Sequence, residues 1–110
     1  MKIEDFSNLR RNVKQYFGED KAFSDIFEKC FFNTIDTTCK FENDGSVFVI
    51  TGDIPAMWLR DSAAQVMQYL YFVDDENVRK LIKGVIQKQV YFITMDTYAN
   101  AFMALCQMLG

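Results

Sequence analysis

The chain has 110 residues, half of them apolar, a quarter charged and 15% aromatic, a composition that belongs to ordered globular proteins and leaves room for one domain. Twelve basic against fifteen acidic side chains give a net charge of -3 with no block of like charge, which speaks against nucleic acid or an anionic membrane as partner. The acidic start Met1 to Phe6 has no signal-peptide pattern, and apolar runs such as Val47 to Ile50 fall far short of the roughly 20 residues a bilayer needs, so cytoplasmic is the default location.

In chain order, Leu9, Val13, Tyr16 and Phe17 recur at helical spacing, with Ser7 as an N-cap and Gly18 at the C-terminal glycine position. A second, stronger helix is predicted from Asp20 to about Thr38, its inward face formed by Phe23, Ile26, Phe27, Cys30, Phe31 and Ile35 and its cap by Asp20 or Ser24. On that face Cys30 reads as a small core residue. Cys30, Cys39 and Cys106 match no zinc spacing and are read as reduced thiols, and the absence of histidine excludes Ser-His-Asp and Cys-His catalysis within this chain.

Asn43-Asp44-Gly45 is a turn signal between Cys39 to Glu42 and the β-branched run Ser46 to Thr51, which predicts a short hairpin. The only proline, in Gly52-Asp53-Ile54-Pro55, breaks regular structure and predicts a loop. A third helix, capped by Asp61 or Ser62, is described by the apolar spacing of Ala63, Ala64, Val66, Met67, Leu70 and Tyr71, and its small first-turn residues allow close packing. Asp74 or Asp75 caps the longest helix, with Val78, Leu81, Ile82, Val85, Ile86, Gln89, Val90 and Ile93 inward and Arg79, Lys80, Lys83 and Lys88 outward; Gly84 within it signals a close contact with another helix. Asp96 to Asn100 interrupts the pattern, and Ala101 to Leu109 reads as the opening of a fifth helix.

The segment Gly52 to Val66 gathers two carboxylates, Asp53 and Asp61, the Arg60 guanidinium and the only tryptophan, Trp58, just before a helix that opens on small residues. A guanidinium donates a planar fork, a carboxylate accepts from two hydroxyls, and an indole offers a flat apolar face, which together suit a pyranose ring with its polar rim. Simpler roles stand beside this one: Asp61 as a helix cap, Arg60 paired with Asp53, and Trp58 in the core.

The run Phe48 to Val66, with Thr51-Gly52-Asp53-Ile54-Pro55-Ala56-Met57-Trp58-Leu59-Arg60-Asp61-Ser62-Ala63 at its centre, then Leu81 to Ile86 with Gln89, then Asp96 to Phe102, resembles glycoside hydrolase family 125. The resemblance implies an exo-α-1,6-mannosidase that needs neither metal nor other cofactor, built on an all-α (α/α)6 barrel, here with a short β-hairpin. A shorter form, Trp58-X-Arg60-Asp61-Ser62-Ala63, is also similar to a sequence in other (α/α)6 glycosidases, and that resemblance implies that Arg60 and Asp61 grip the terminal mannose of an α-mannoside in the -1 subsite and that Trp58 walls the pocket. Asp53, Tyr98 and Asn100 match family positions near the same loops. Thr97 departs from the family, which usually has proline there, as does the apolar run from Met103 onward.

Twelve helices of about 10 to 14 residues with loops of about 4 to 6 exceed roughly 170 residues, so residues 1–110 are expected to be the amino-terminal portion of a longer barrel. Inverting hydrolysis requires an acid and a base about 6.5 to 9.5 Å apart. By the resemblance both lie downstream, so no catalytic residue is expected here and the isolated chain is expected to be inactive. Asp53 and Asp61 could form such a pair, but a carboxylate beside Arg60 would stay ionised and suits binding better. The alternative from a different class is a freestanding helical interaction module.

Overall fold

A 3₁₀ turn, Ile3–Phe6, opens the chain and runs without a break into helix α1, Ser7–Gln15. Ser7 therefore does not cap α1; its hydroxyl donates to the Glu4 carbonyl (2.7 Å), and Asp5 takes the capping part by accepting from the Lys2 amide (2.9 Å). The computed structural model describes residues 1–17, 19–52 and 54–103, so the C-terminal role expected of Gly18 lies outside the described residues. Phe6, Leu9 and Val13 are buried, whereas Tyr16, one step further along the same spacing, is exposed beyond the last turn of α1.

Asp20 caps α2, Lys21–Phe31, by accepting from the Phe23 amide (3.0 Å), as its position predicts. The helix does not continue to Thr38 at the same pitch; residues Thr34–Thr38 form a wider π-turn. The reason is local. Thr37 and Thr38 donate their hydroxyls back to the carbonyls of Asn33 (2.8 Å) and Thr34 (2.6 Å), in a stretch whose β-branched side chains already disfavour the α-helix.

The inward face of α2 is rotated from the one expected. Ser24 and Phe31 are buried with Phe27 packed beside them, while Phe23, Ile26 and Cys30 are exposed. Cys30 is thus a surface residue rather than a core one. Ion pairs set this rotation: Glu28 faces Lys14 (3.2 Å) and Arg10 (3.9 Å) of α1, and Arg10 also pairs with Asp36 and lies 4.3 Å over the Phe32 ring.

The hairpin is formed by β1, Cys39–Phe41, and β2, Val47–Val49, antiparallel with Cys39 opposite Val49 and Phe41 opposite Val47. Gly45 adopts a positive φ of 89° in the turn, and Asp44 accepts from both the amide (2.9 Å) and the hydroxyl (2.6 Å) of Ser46, which holds its carboxyl below the usual range. All three β2 residues are buried because α4 lies across the strand.

Helix α3, Leu59–Val66, passes into a 3₁₀ segment, Met67–Phe72, and the change of period decides what is buried. With three residues per turn Val66, Tyr69 and Phe72 share a face, so Tyr69 is fully buried while Met67, Leu70 and Tyr71 are exposed, contrary to the α-helical expectation. The Tyr69 hydroxyl donates to the Phe31 carbonyl (2.5 Å), and its ring joins Phe27, Phe32 and Phe72 around Phe31 with centroid separations of at most 5.4 Å. Burial raises the Tyr69 phenol to about 12, and burial likewise raises the nearby Cys39 thiol to about 12.

Asp75 caps the 20-residue helix α4, Glu76–Met95, by accepting from the amides of Asn77 (2.8 Å) and Val78 (3.2 Å). Its buried stripe is Val78, Leu81, Gly84, Val85, Lys88 and Phe92; Ile86, Val90 and Ile93, expected inward, face out. Lys88, expected outward, is 8% exposed, its stem covering apolar surface and its ammonium 5.6 Å and 5.8 Å from the Tyr91 and Phe92 ring centres. Gly84 marks a close contact as expected, but with the hairpin rather than another helix: a Cβ there would meet the Gly45 carbonyl oxygen at 2.4 Å.

A second antiparallel pair was not foreseen. It joins β3, Ala56–Trp58, to β4, Ala101–Met103, with Met57 opposite Phe102. Residues 101–103 are therefore extended, not helical, and the remainder of the expected fifth helix lies outside the described residues. The described residues are mainly helical with two small two-stranded sheets. Among the described residues no helix is long and apolar enough to cross a membrane.

Candidate functional site

The segment Thr51 to Ser62 is held by its backbone from several sides. The buried Thr51 donates its amide to the Ala56 carbonyl (3.0 Å), and its Oγ1 accepts from the Trp58 amide (3.0 Å), closing the loop at Pro55 onto β3. The Leu59 amide donates to the Asn100 carbonyl (3.0 Å), so the ladder between β3 and β4 sets Asn100 beside the start of α3. Phe102 secures β4 by stacking on Phe92 of α4, with centroids 4.5 Å apart and planes 3° from parallel.

These constraints form a cleft of about 470 Å³ lined by Trp58, Leu59, Arg60, Asp61 and Asn100. The volume lies within the range of about 300 to 1,000 Å³ usual for small-molecule sites. Four of the five expected site residues thus share one concavity, and Asp53, the fifth, lies outside the described residues. Tyr98 is not part of this lining; it is 94% exposed, with its amide donating to the Asp96 carboxylate (3.1 Å).

Two of the simpler roles are corrected by the geometry. Helix α3 starts at Leu59, three or four residues earlier than expected, so Asp61 stands in its first turn rather than at the cap, and Trp58 holds the cap position with no side-chain bond. Trp58 is 40% exposed and so not a core residue. Among the described residues neither Arg60 nor Asp61 makes an ion pair or a side-chain hydrogen bond, and both are exposed at the cleft. The pairing of Arg60 with Asp53 lies outside the described residues; a guanidinium, a carboxylate, the Asn100 amide and an indole face line the cleft, groups suited to a neutral polyhydroxy ligand.

The sequence signature of the metal-independent alpha-mannosidases (GH125) matches residues 20–108. The chain belongs to glycoside hydrolase family 125. It is 42% identical over 89 residues to the Meiotically up-regulated gene 157 protein of Schizosaccharomyces pombe, an alignment covering 76% of this chain and 18% of that protein. It is also similar to a solved Streptococcus pneumoniae metal-independent alpha mannosidase, a non-productive complex with alpha-1,6-mannobiose, at a TM-score of 0.75 and 39% identity. That match covers 92% of this chain and 24% of the other, so the chain spans about a fifth to a quarter of the length of these two relatives.

Two residues important to the site's construction were not singled out for it. Gln89 of α4 donates from Nε2 to the Leu59 carbonyl (3.1 Å) and to the Ser62 hydroxyl (2.9 Å), and the buried Ser62 hydroxyl donates to the same carbonyl (2.9 Å). The available signal was a glutamine in an otherwise apolar inward stripe, which implies a buried polar partner.

Proposed function

We propose that the cleft at the start of α3 is part of the -1 subsite of an exo-acting, inverting α-1,6-mannosidase. Arg60 donates to hydroxyls of the terminal mannose, Asp61 accepts from them, the Asn100 amide accepts or donates at the rim, and Trp58 covers an apolar face of the ring. Asp53, from the adjoining loop, is assigned to the same subsite on its sequence position. The observation that carries the proposal is the convergence of Trp58, Arg60, Asp61 and Asn100 in one cleft, from segments about 40 residues apart, in a GH125 chain.

The catalytic acid and base are assigned to the part of the protein beyond this stretch. The (α/α)6 barrel is completed there too, and this part covers the groove between α3 and α4. That groove, lined by Val66, Met67, Leu70, Ile82 and Ile86 among others, is almost wholly apolar and lies among exposed apolar side chains of the 3₁₀ segment and α4. Residues 1–110 alone are expected to hydrolyse no mannoside, because a hexose grip without a proton donor and a water-activating base supplies binding only.

The test is calorimetric titration of mannose and α-1,6-mannobiose into protein restored to the full length of its relatives, with Arg60→Ala and Asp61→Ala. Each substitution removes charge-assisted hydrogen bonds worth about 1.5 to 3 kcal/mol, so affinity should fall by roughly tenfold to a hundredfold. Unchanged affinity in both variants would defeat the sugar reading and favour the interaction module.

A further inference from the structure

We infer that Gln89 is a positioning residue for this cleft, setting the first turn of α3 so that Arg60 and Asp61 face a bound sugar together; the inference rests on the -1 subsite reading above. Leu59 and Ser62 bracket those two residues, and the Gln89 amide bonds to both, at 3.1 Å and 2.9 Å. A carbonyl oxygen can only accept, so the NH₂ end of Gln89 must face Leu59, and its two protons match the two acceptors.

Helix α3 has eight residues and no side-chain cap, so it is too short to fix its own position. Helix α4, with 20 residues and a full cap at Asp75, is the rigid reference against which the turn is held. Thr51 and Asn100 tie the backbone on the strand side, at Trp58 and Leu59. Gln89 supplies the tie on the opposite, helical side, and Ser62, fully buried, closes the triangle through its own bond to Leu59.

Gln89 does not line the cleft; it lines the apolar groove on the far side of α3, so its influence on a sugar must pass through the turn itself. That separates a positioning role from direct contact and predicts coupling to Arg60.

The experiment measures kcat/KM for α-1,6-mannobiose in the length-restored protein. Gln89→Met keeps the length of the side chain and removes both donors, and should lower kcat/KM about tenfold. The same change in an Arg60→Ala background should cost only about threefold, because one of the two groups it positions is gone. Ser62→Ala, a milder change that leaves the direct bond to Leu59, should cost about threefold and serves if Gln89→Met does not fold. Val85→Ala, in the core of α4, should lower stability without altering kcat/KM.

Equal losses from Gln89→Met with and without Arg60, or wild-type kcat/KM in both Gln89→Met and Ser62→Ala, would overturn the positioning role. No turnover of mannobiose by the unaltered protein, or undiminished turnover in Arg60→Ala and Asp61→Ala, would instead defeat the subsite reading beneath it.

Discussion

Replacing Gly84 with alanine sets two effects of opposite sign against each other. In an isolated helix the change would stabilise by about 1 kcal/mol, since glycine is that much poorer than alanine in a helix interior. Here the added methyl would lie 2.4 Å from the Gly45 carbonyl oxygen and 2.7 Å from a Val47 methyl, where real Cβ atoms do not come within 3.0 Å. The hairpin would have to retreat by at least 3.0 - 2.4 = 0.6 Å. One of the opposing atoms is backbone, so no rotamer change relieves the clash.

Retreat would loosen the packing of β2 on α4, including the contact of Phe48 with Phe92 (6.0 Å between centroids). Overpacking of this kind costs about 1 to 3 kcal/mol and more where backbone must move, so after the propensity gain a net loss of about 2 kcal/mol is expected. With a urea slope of about 1.5 to 2 kcal/mol per M, the unfolding midpoint followed by circular dichroism should drop by about 1 M. Lys83→Ala, next to it but exposed, should leave the midpoint almost unmoved. If Gly84→Ala matched or exceeded the parent protein in stability, helix propensity would have won and the close approach of hairpin and helix would be refuted.

Phe102→Ala deletes the ring stacked at 4.5 Å on Phe92; it should cost about 3 to 4 kcal/mol and, by loosening β4 and with it Asn100, weaken mannoside binding in the same titration. Cys39 and Tyr69 are both raised to about 12 in the folded protein, above their ordinary values of 9.0 and 10.0, so the folded state holds protons that the unfolded state has released. Their contribution is complete below about pH 9 and is lost as pH rises toward 12, so stability should fall through that alkaline window, and the part above pH 10 should shrink in Tyr69→Phe. In the native protein at pH 8 a thiol reagent should modify the exposed Cys30 far faster than Cys39, whose thiolate is suppressed by burial; peptide mapping after a short pulse checks this, and equal labelling would contradict it.

Features governed by neighbours along the chain could be read directly. The caps at Asp20 and Asp75 and the turn at Asn43-Asp44-Gly45 depend on side chains reaching backbone groups two or three residues away, and such bonds are written in the local order of residue types. The run from Trp58 to Asp61 offers by its chemistry the groups a sugar site would use, and a cleft lies there. Which side of a helix turns inward was less accessible, because apolar residues cover more of α2 and α4 than the core uses. Ion pairs from α1 and the approach of the hairpin made that choice.

The pairing of β3 with β4 could not be inferred along the chain at all. Ala56–Trp58 and Ala101–Met103 are three-residue strands without alternating polarity, some 40 residues apart, and neither has a pattern that demands a strand. Their register follows from Phe102 finding Phe92 and from the Leu59 amide finding the Asn100 carbonyl. Those long-range contacts close the cleft. Residue types specified what chemistry it offers, and only packing between distant segments could bring Asn100 to Arg60 and Asp61, since a hydrogen bond between distant segments depends on where the folded backbone has carried them.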